Sequence, residues 1–240
     1  MASVILSARG LTRHFGGLRA VDGVDFDLQT GDIHALIGPN GAGKTTFVGL
    51  LSGRIPAQSG TIALAGEDIT RLPAHARVKK GIAYTFQITS VYPRLSVFDN
   101  VALAVQQTAT RDLASDVAAA LSRVNLADRA TQTAGTLSYG HQRLLELGMG
   151  LALRPRVLIL DEPTQGLASG EIANFKQLVR SLAPETTVLL IEHNMDVVMD
   201  LATRITVLAA GRHLATGTPS EIRANPAVQD AYLGGHDASA

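Results

Sequence analysis

Residues 36–46 read LIGPNGAGKTT, and they place three glycines within six positions directly ahead of a lysine and two threonines. This stretch matches G-x-x-x-x-G-K-[ST], the pattern of a phosphate-binding loop, in which glycines let backbone N–H groups turn inward around phosphates. Lys44 would then neutralise the β- and γ-phosphates, and the hydroxyl of Thr45 would ligate Mg²⁺. The predicted nucleotide-binding residues are Gly38, Pro39, Asn40, Gly41, Ala42, Gly43, Lys44, Thr45 and Thr46.

The flanking sequence decides between such a loop and an ordinary glycine-rich turn before a helix. The run IHALIG ahead of the loop is apolar, as in a buried strand. Behind it, KTTFVGLLSG repeats apolar side chains at helical spacing, and Gly53 stands where a helix would end. Strand, glycine loop and helix is the order that phosphate binding requires, because the helix contributes the positive end of its dipole. We therefore predict nucleotide binding.

The remaining segments predict an α/β fold. The stretch VDFDL alternates as a strand with Val24, Phe26 and Leu28 on one face. Residues 96–134 carry Ala, Val and Leu at helical spacing and indicate a helical subdomain. A strand RVLILD, an amphipathic helix EIANFKQLVRSL and a second strand TVLLIEH follow. Because strands alternate with helices, the core sheet should be mostly parallel.

Composition argues against several classes of protein. Lys plus Arg equal Asp plus Glu at 21 each, so we expect no nucleic-acid partner. With no cysteine, the chain has no disulfide, thiolate zinc site or cysteine nucleophile. Residues 1–10 lack the pattern of a secretory leader, and the apolar runs are far shorter than the ~20 residues that span a bilayer. We expect a cytoplasmic protein that meets a membrane only from its surface.

Two carboxylates follow the apolar run VLIL and suit the chemistry of a bound nucleotide. The exposed ends of neighbouring parallel strands converge on a ligand, so Asp161 would hold Mg²⁺ and Glu162 would polarise an attacking water. The alternative is an acidic pair that caps the next helix. Two carboxylates favour hydrolysis over binding alone.

Two further polar residues follow predicted strands. His193 closes TVLLIEH, where an imidazole would contact the γ-phosphate and the attacking water. A lone histidine at a strand end is more often simply a hydrogen-bonded residue, and the neighbouring motifs favour the catalytic reading here. Gln87 in YTFQ lies between a strand and the helical segment, where its amide would reach the metal or the water. Both are candidate catalytic residues, together with Glu162 and Lys44.

The order and spacing of these motifs resemble the nucleotide-binding subunits of ATP-binding-cassette (ABC) transporters over nearly the whole chain. LSYGHQ at residues 137–142 is similar to the LSGGQ signature of that family. The resemblance implies a P-loop NTPase (RecA-like) fold with an N-terminal antiparallel β region and an inserted helical subdomain. It implies one cassette over residues 1–240, with the nucleotide-binding core in 1–88 and 151–232, the helical subdomain in 89–150 and a flexible tail in 233–240.

The resemblance also assigns roles that the residues alone leave open. Ser138, Tyr139 and Gly140 would contact ATP held by a second subunit in a head-to-tail dimer, although SYG by itself reads as a polar turn. Phe15 lies where the family stacks an aromatic ring on adenine, and a core phenylalanine is the alternative. Gln87 would join Thr45 and Asp161 as a metal ligand.

Within the family, HFGGLRAVDGVDF and the terminal NPAVQDAYLG resemble the ATP-binding subunits of branched-chain (hydrophobic) amino acid importers. Importers of urea and short amides share much of this sequence and are an alternative. A soluble cassette and a non-hydrolysing regulatory module are further alternatives. Two departures stand out. His141 replaces the usual glutamine or glutamate, and Ala168 replaces an aspartate that communicates across the dimer in many cassettes.

The resemblance implies a set of partners for a subunit on the cytoplasmic face of the membrane. These are ATP with Mg²⁺, a second ATP-binding subunit, membrane permease subunits and, indirectly, a solute-binding protein. Residues 88–95 carry a small apolar and aromatic patch, Val91, Tyr92, Pro93 and Leu95, edged by Arg94. We expect this patch to dock a short helix of the permease, and packing against the sheet is the alternative.

Overall fold

Two β-sheets and the helices around them make up the structure, a computed structural model that describes residues 3–85, 90–108, 111–183 and 185–233. The first sheet is antiparallel and has the strand order β2-β1-β4-β5. Its strands are β1 (Val4–Phe15), β2 (Leu18–Gln29), β4 (Ser59–Leu64) and β5 (Glu67–Asp68). In β2 the side chains of Val24, Phe26 and Leu28 are buried, which confirms their predicted common face.

The second sheet has the order β10-β9-β3-β8-β7-β6, and all its pairs are parallel except β9 with β10. Its strands are β3 (Ile33–Ile37), β6 (Ile82–Thr85), β7 (Val157–Asp161), β8 (Thr187–Ile191), β9 (Arg204–Ala209) and β10 (Arg212–Gly217). Every residue of β3, β7 and β8 is buried, as expected for parallel strands covered on both faces. The predicted α/β class, with a mostly parallel core and an N-terminal antiparallel region, is confirmed.

The helices of the described residues are α1 (Lys44–Ser52), α2 (Ala74–Lys80), α3 (Val97–Val105), α4 (Leu113–Arg123), α5 (Tyr139–Ala152), α6 (Ser169–Leu182), α7 (Met195–Leu201), α8 (Pro219–Ala224) and α9 (Pro226–Leu233). Within these described ranges, none of the helices has the length and apolar character that a membrane span requires.

Helices α3, α4 and α5 pack on one another, as the helical spacing of this region predicts. Side-chain oxygens of Ser96, Asp112 and Ser138 cap their N-termini by accepting backbone N–H groups. Their apolar faces share one hydrophobic cluster with the parallel sheet, in which Val101 of α3 and Leu158 of β7 both take part. The boundaries 89–150 for a separate subdomain stay a prediction.

A buried arginine fixes the helix that follows the glycine loop. The Arg77 guanidinium donates to the carbonyl oxygens of Leu50 and Leu51 at 2.7 and 2.8 Å, at the C-terminal end of α1. It also donates to the carbonyls of Thr70 and Leu72 at 2.9 Å. Burial lowers the pKa of Arg77 to about 10, so the side chain stays charged at neutral pH. Carbonyl oxygens that a helix end leaves without partners are thereby satisfied, and α1 is held in place.

Candidate active site

The loop between β3 and α1 requires glycine at two positions. Gly38 has φ 151° and Gly43 has φ 96°, backbone conformations that other residues rarely adopt. A Cβ atom at Gly38 would lie 2.1 Å from the carbonyl oxygen of Leu208, and one at Gly43 would lie 2.1 Å from that of Ala20. The loop therefore packs directly against the backbones of β9 and β2, and its shape is fixed by the two sheets.

Lys44 begins α1 and folds back over the loop. Its Nζ atom donates to the carbonyl oxygens of Gly38 at 2.7 Å and Pro39 at 3.1 Å. Burial lowers the pKa of Lys44, while the charges of Glu162 and Asp161 act in the opposite direction. The ammonium group is thus held against the loop, where a bound anion would replace the two carbonyl oxygens as the acceptor of its hydrogen bonds.

A cleft of about 320 Å³ opens beside this loop. Leu18 and Ala20 line one side, and Glu162, Ile191 and His193 line another. The loop itself supplies Asn40, Gly41, Ala42, Gly43, Lys44, Thr45 and Thr46. Residues 40–46 of the predicted phosphate loop therefore share one cleft with three of the predicted catalytic residues, Lys44, Glu162 and His193.

Glu162 and His193 face each other across the ends of adjacent strands. Their Oε1 and Nε2 atoms are 2.6 Å apart. Glu162 has φ 48°, an uncommon conformation for a residue with a side chain, and its N–H donates to the carbonyl oxygen of Ile191 at 2.9 Å. The ends of β7 and β8 converge as predicted, although β8 stops at Ile191 and His193 lies in the loop beyond it. A carboxylate and an imidazole in contact can orient and deprotonate a water.

Asp161 is buried at the end of β7 and accepts a hydrogen bond from the Tyr84 hydroxyl. Burial raises the pKa of Asp161, and the hydrogen bond from Tyr84 acts against that rise. Tyr84 lies in β6 next to β7, and the Arg54 guanidinium lies 4.2 Å from the centre of its ring. Sequence reasoning missed Tyr84, because a tyrosine inside a strand pattern carries no separate signal of function.

The oxygen donors at this end of the sheet fit Mg²⁺. The cation prefers hard oxygen ligands, and the Thr45 hydroxyl and the Asp161 carboxylate are of that kind. Thr45 lines the cleft and is exposed to it. The described part of the chain has no cluster of three or more His, Cys, Asp or Glu side chains that would hold a metal by itself. The third predicted ligand, Gln87, lies outside the described residues.

The signature residues lie at the start of α5, away from the cleft around Lys44. Ser138 caps the helix by accepting the N–H of His141 at 3.3 Å, and its hydroxyl lies 2.7 Å from the Nδ1 atom of the same histidine. Tyr139 is 43% exposed, whereas Gly140 is buried against the carboxylate of Glu171. Among the described residues that line the cleft, none belongs to this signature.

Phe15 ends β1 and is 44% exposed, so it is not part of the hydrophobic core. The Arg13 guanidinium lies 4.9 Å from the centre of its ring. Phe15 pairs with Leu18, which lines the cleft, so β1 ends beside a residue of the cleft wall. An exposed aromatic ring in this place is available for stacking.

Comparison with known proteins decides the family. Residues 21–165 match the family model described as ABC transporter. The chain belongs to the ABC transporter family. A second model, the branched-chain amino acid ATP-binding cassette transporter, matches residues 212–238 of this cassette.

Full-length relatives agree with this assignment. The cassette is 40% identical to the high-affinity branched-chain amino acid transport ATP-binding protein BraF of Pseudomonas aeruginosa, across 98% of this chain and 99% of the relative. It is 38% identical to the corresponding protein LivG of Escherichia coli K12, with the same coverage. The lipopolysaccharide export system ATP-binding protein LptB of Escherichia coli K12 is 33% identical across 95% of this chain and 97% of the relative.

Solved structures give the same result for the fold. The cassette superposes on the ADP conformation of an ATP-binding cassette of an ABC transporter with a TM-score of 0.87, at 27% identity, covering 97% of this chain and 99% of the other. ABC cassettes bind nucleotide and hydrolyse ATP to drive transport, so this cassette is a P-loop ATPase that works with membrane subunits.

Proposed function

We propose that this cassette is the ATP-hydrolysing subunit of a membrane importer for branched-chain and other hydrophobic amino acids. The observation that carries the proposal is the match of residues 212–238 to the branched-chain cassette model, which adds to the likeness to BraF and LivG. Importers of urea and short amides are the second candidate, because their ATP-binding subunits share much of the same sequence. The cassette would sit on the cytoplasmic face of the membrane with a second ATP-binding subunit and permease subunits.

The geometry supports separate roles for the two sides of the cleft, nucleotide binding on one side and activation of water on the other. The loop N–H groups and Lys44 bind the phosphates of ATP, and Phe15 stacks on the adenine. Glu162 orients and polarises the attacking water, while His193 contacts the γ-phosphate and the same water. Thr45, Asp161 and Gln87 would hold Mg²⁺, which would neutralise part of the phosphate charge. Hydrolysis is then a transfer of the phosphoryl group to water, catalysed by positioning and charge rather than by a covalent intermediate.

The assembled importer is expected to transport leucine in preference to urea or acetamide. The cassette, its permease subunits and its solute-binding protein would be placed in liposomes with ATP inside and the binding protein outside. Uptake of radiolabelled leucine should depend on ATP and should exceed that of urea or acetamide. A complex that imports urea or acetamide and ignores leucine would reject the amino-acid assignment in favour of the second candidate. A cassette that hydrolyses ATP without associating with any permease would reject the importer itself.

The patch around Tyr92 is the proposed docking surface for a permease helix. Tyr92 is 55% exposed, while its backbone N–H and carbonyl are hydrogen-bonded by the buried side chain of Asn100 at 2.7 and 3.1 Å. Val91 packs against the hydrophobic cluster that the helices share with the sheet. Asn100 and the hydrophobic cluster therefore hold the segment in place, while the Tyr92 side chain is exposed to solvent, as an interface requires. Residues 88 and 89 of the predicted patch lie outside the described residues.

Polar substitution of this patch is expected to uncouple transport from hydrolysis. Tyr92→Ser, alone and with Leu95→Ser, should leave the ATPase rate of the isolated cassette within about twofold of the unaltered protein, since neither residue lines the cleft. Uptake of leucine by the reconstituted importer should fall about tenfold or more, because an aromatic anchor of an interface is removed. Leu103→Gln, at an exposed apolar position of α3, serves as the matched control. Normal uptake by the Tyr92 variant would move the docking site elsewhere, and loss of intrinsic ATPase would mean that the patch is part of the core.

A further inference from the structure

Glu192 is a buried carboxylate between β8 and His193. Only 4% of its surface is exposed. A carboxylate removed from water costs free energy unless hydrogen bonds replace its hydration. Four donors do so here, and they divide evenly between its two oxygens. Oε1 accepts from the N–H of Thr164 at 3.0 Å and from its hydroxyl at 2.5 Å, and Oε2 accepts from the N–H of His193 at 3.1 Å and of Asn194 at 3.2 Å.

These four hydrogen bonds join the two loops that carry the predicted catalytic residues. Thr164 lies two positions after Glu162 in the loop that follows β7, and it is itself buried. His193 and Asn194 form the loop that follows β8. The same two loops also meet at the cleft, where the Oε1 atom of Glu162 lies 2.6 Å from the Nε2 atom of His193. The Glu192 carboxylate thus ties the loop of Glu162 to the loop of His193, and it is not among the described residues that line the cleft.

We propose that Glu192 is a positioning residue for hydrolysis: it holds the two loops in register so that Glu162 and His193 stay within hydrogen-bond distance. The inference rests on the proposed roles of Glu162 and His193. Apart from the γ-phosphate contact proposed for His193, the proposed contacts to the phosphates come from residues 38–46, to which Glu192 makes no hydrogen bond among those described. A change at Glu192 should therefore reduce turnover and leave nucleotide affinity unchanged.

The distinguishing variant is Glu192→Gln, which preserves the volume of the side chain. A glutamine amide has one acceptor oxygen and one NH₂ group, so one of the two loops meets a donor where it met an acceptor. Displacement of a catalytic group by about 1 Å costs up to about 10²-fold in rate, and we expect a fall in kcat of about 10- to 100-fold. Affinity for a fluorescent ATP analogue, measured by titration, should stay within about twofold of the unaltered cassette.

Thr164 supplies a milder pair of variants. Thr164→Ser keeps the hydroxyl and the backbone N–H and serves as the matched control, with kcat within about twofold. Thr164→Val keeps the shape and removes the hydroxyl donor, so kcat should fall by less than in Glu192→Gln. If Glu192→Gln does not fold, as judged by its melting temperature and gel filtration, the Thr164 pair tests the proposal instead. Equal rates for the serine and valine variants would then overturn it.

A structural role and a positioning role differ in how they combine with His193→Ala. When the imidazole is absent there is no longer a pair to hold, so adding Glu192→Gln should lower the residual kcat by less than about threefold. A full further loss in the double variant, or an unchanged kcat in Glu192→Gln itself, would overturn the proposal. If Glu162→Gln and His193→Ala themselves hydrolyse ATP at the normal rate, the proposed roles of those residues fail, whatever Glu192 does.

Discussion

Glu162→Gln is expected to lower ATP turnover by about 10²- to 10³-fold while the affinity for ATP stays near that of the unaltered cassette. The carboxylate lies 2.6 Å from His193 and lines the cleft, whereas the proposed phosphate contacts, apart from that of His193, come from the glycine loop that also lines it. A glutamine keeps the size of the side chain and loses the ability to polarise water. Steady-state phosphate release gives kcat, and titration with a fluorescent ATP analogue gives the affinity.

Lys44→Ala provides the opposite pattern within the same cleft. Its ammonium is the charge proposed to bind the phosphates, and hydrogen bonds to charged groups contribute about 1.5–3 kcal/mol, so ATP affinity should weaken by about 10- to 100-fold. Lys79→Ala removes an exposed lysine from α2 and is the matched control. A rate for Glu162→Gln within a few-fold of the unaltered cassette would remove Glu162 from its role, and undiminished binding by Lys44→Ala would do the same for the lysine.

Local pattern was sufficient to predict the elements that hold the nucleotide loop. The order of β3, loop and α1 follows from a buried apolar run, three glycines and a helical repeat that stops at Gly53, which has the left-handed conformation of a helix end. The convergence of Asp161, Glu162 and His193 followed from the rule that parallel strands end at one edge. Each of these inferences uses residues that are close together in sequence or a general property of parallel sheets.

Side chains that matter through distant partners could not be predicted. Tyr84 hydrogen-bonds Asp161 only because β6 lies beside β7, and Arg77 binds α1 from a helix more than 20 residues away. Glu192 read as the penultimate residue of a strand pattern, and its four donors come from two loops. A buried charge in a sequence looks like an exposed one until its partners are known, because its burial depends on contacts between distant segments.

The two departures from the family pattern find partners within the chain. The imidazole of His141 lies 2.7 Å from the Ser138 hydroxyl, so this histidine contacts the signature serine directly. Ala168 is the N-cap residue just ahead of α6 and has no side-chain oxygen, and its N–H donates to the Glu171 carboxylate at 2.9 Å. The same carboxylate packs against Gly140 at the start of α5. The signature helix and the start of α6 are therefore linked through Glu171.

The position of the signature residues gives the last prediction, which concerns dimerisation. Ser138 and Tyr139 are exposed and do not line the cleft around Lys44, and they stand at the N-terminus of α5, the end of a helix that favours an anion. A second cassette that brings this helix end to the γ-phosphate would complete the site. The interface would then consist partly of nucleotide, so it should persist only while ATP remains intact.

Glu162→Gln is accordingly expected to elute from gel filtration as a monomer without nucleotide and as a dimer with ATP and Mg²⁺. Adding Ser138→Glu places a negative charge against the γ-phosphate and should raise the dimer dissociation constant about tenfold or more, while ATP binding to the monomer is retained. Ser122→Glu, at an exposed position of α4, introduces the same charge away from the signature and should leave the dimer intact.

Dimerisation of the Ser138→Glu double variant at the control level would show that the signature does not face the partner's nucleotide. The resemblance to branched-chain importers implies that the second ATP-binding subunit can be a different one, so the measurement is made both with the cassette alone and with a second cassette of the same importer. An elution volume unchanged by ATP in both would overturn the composite site.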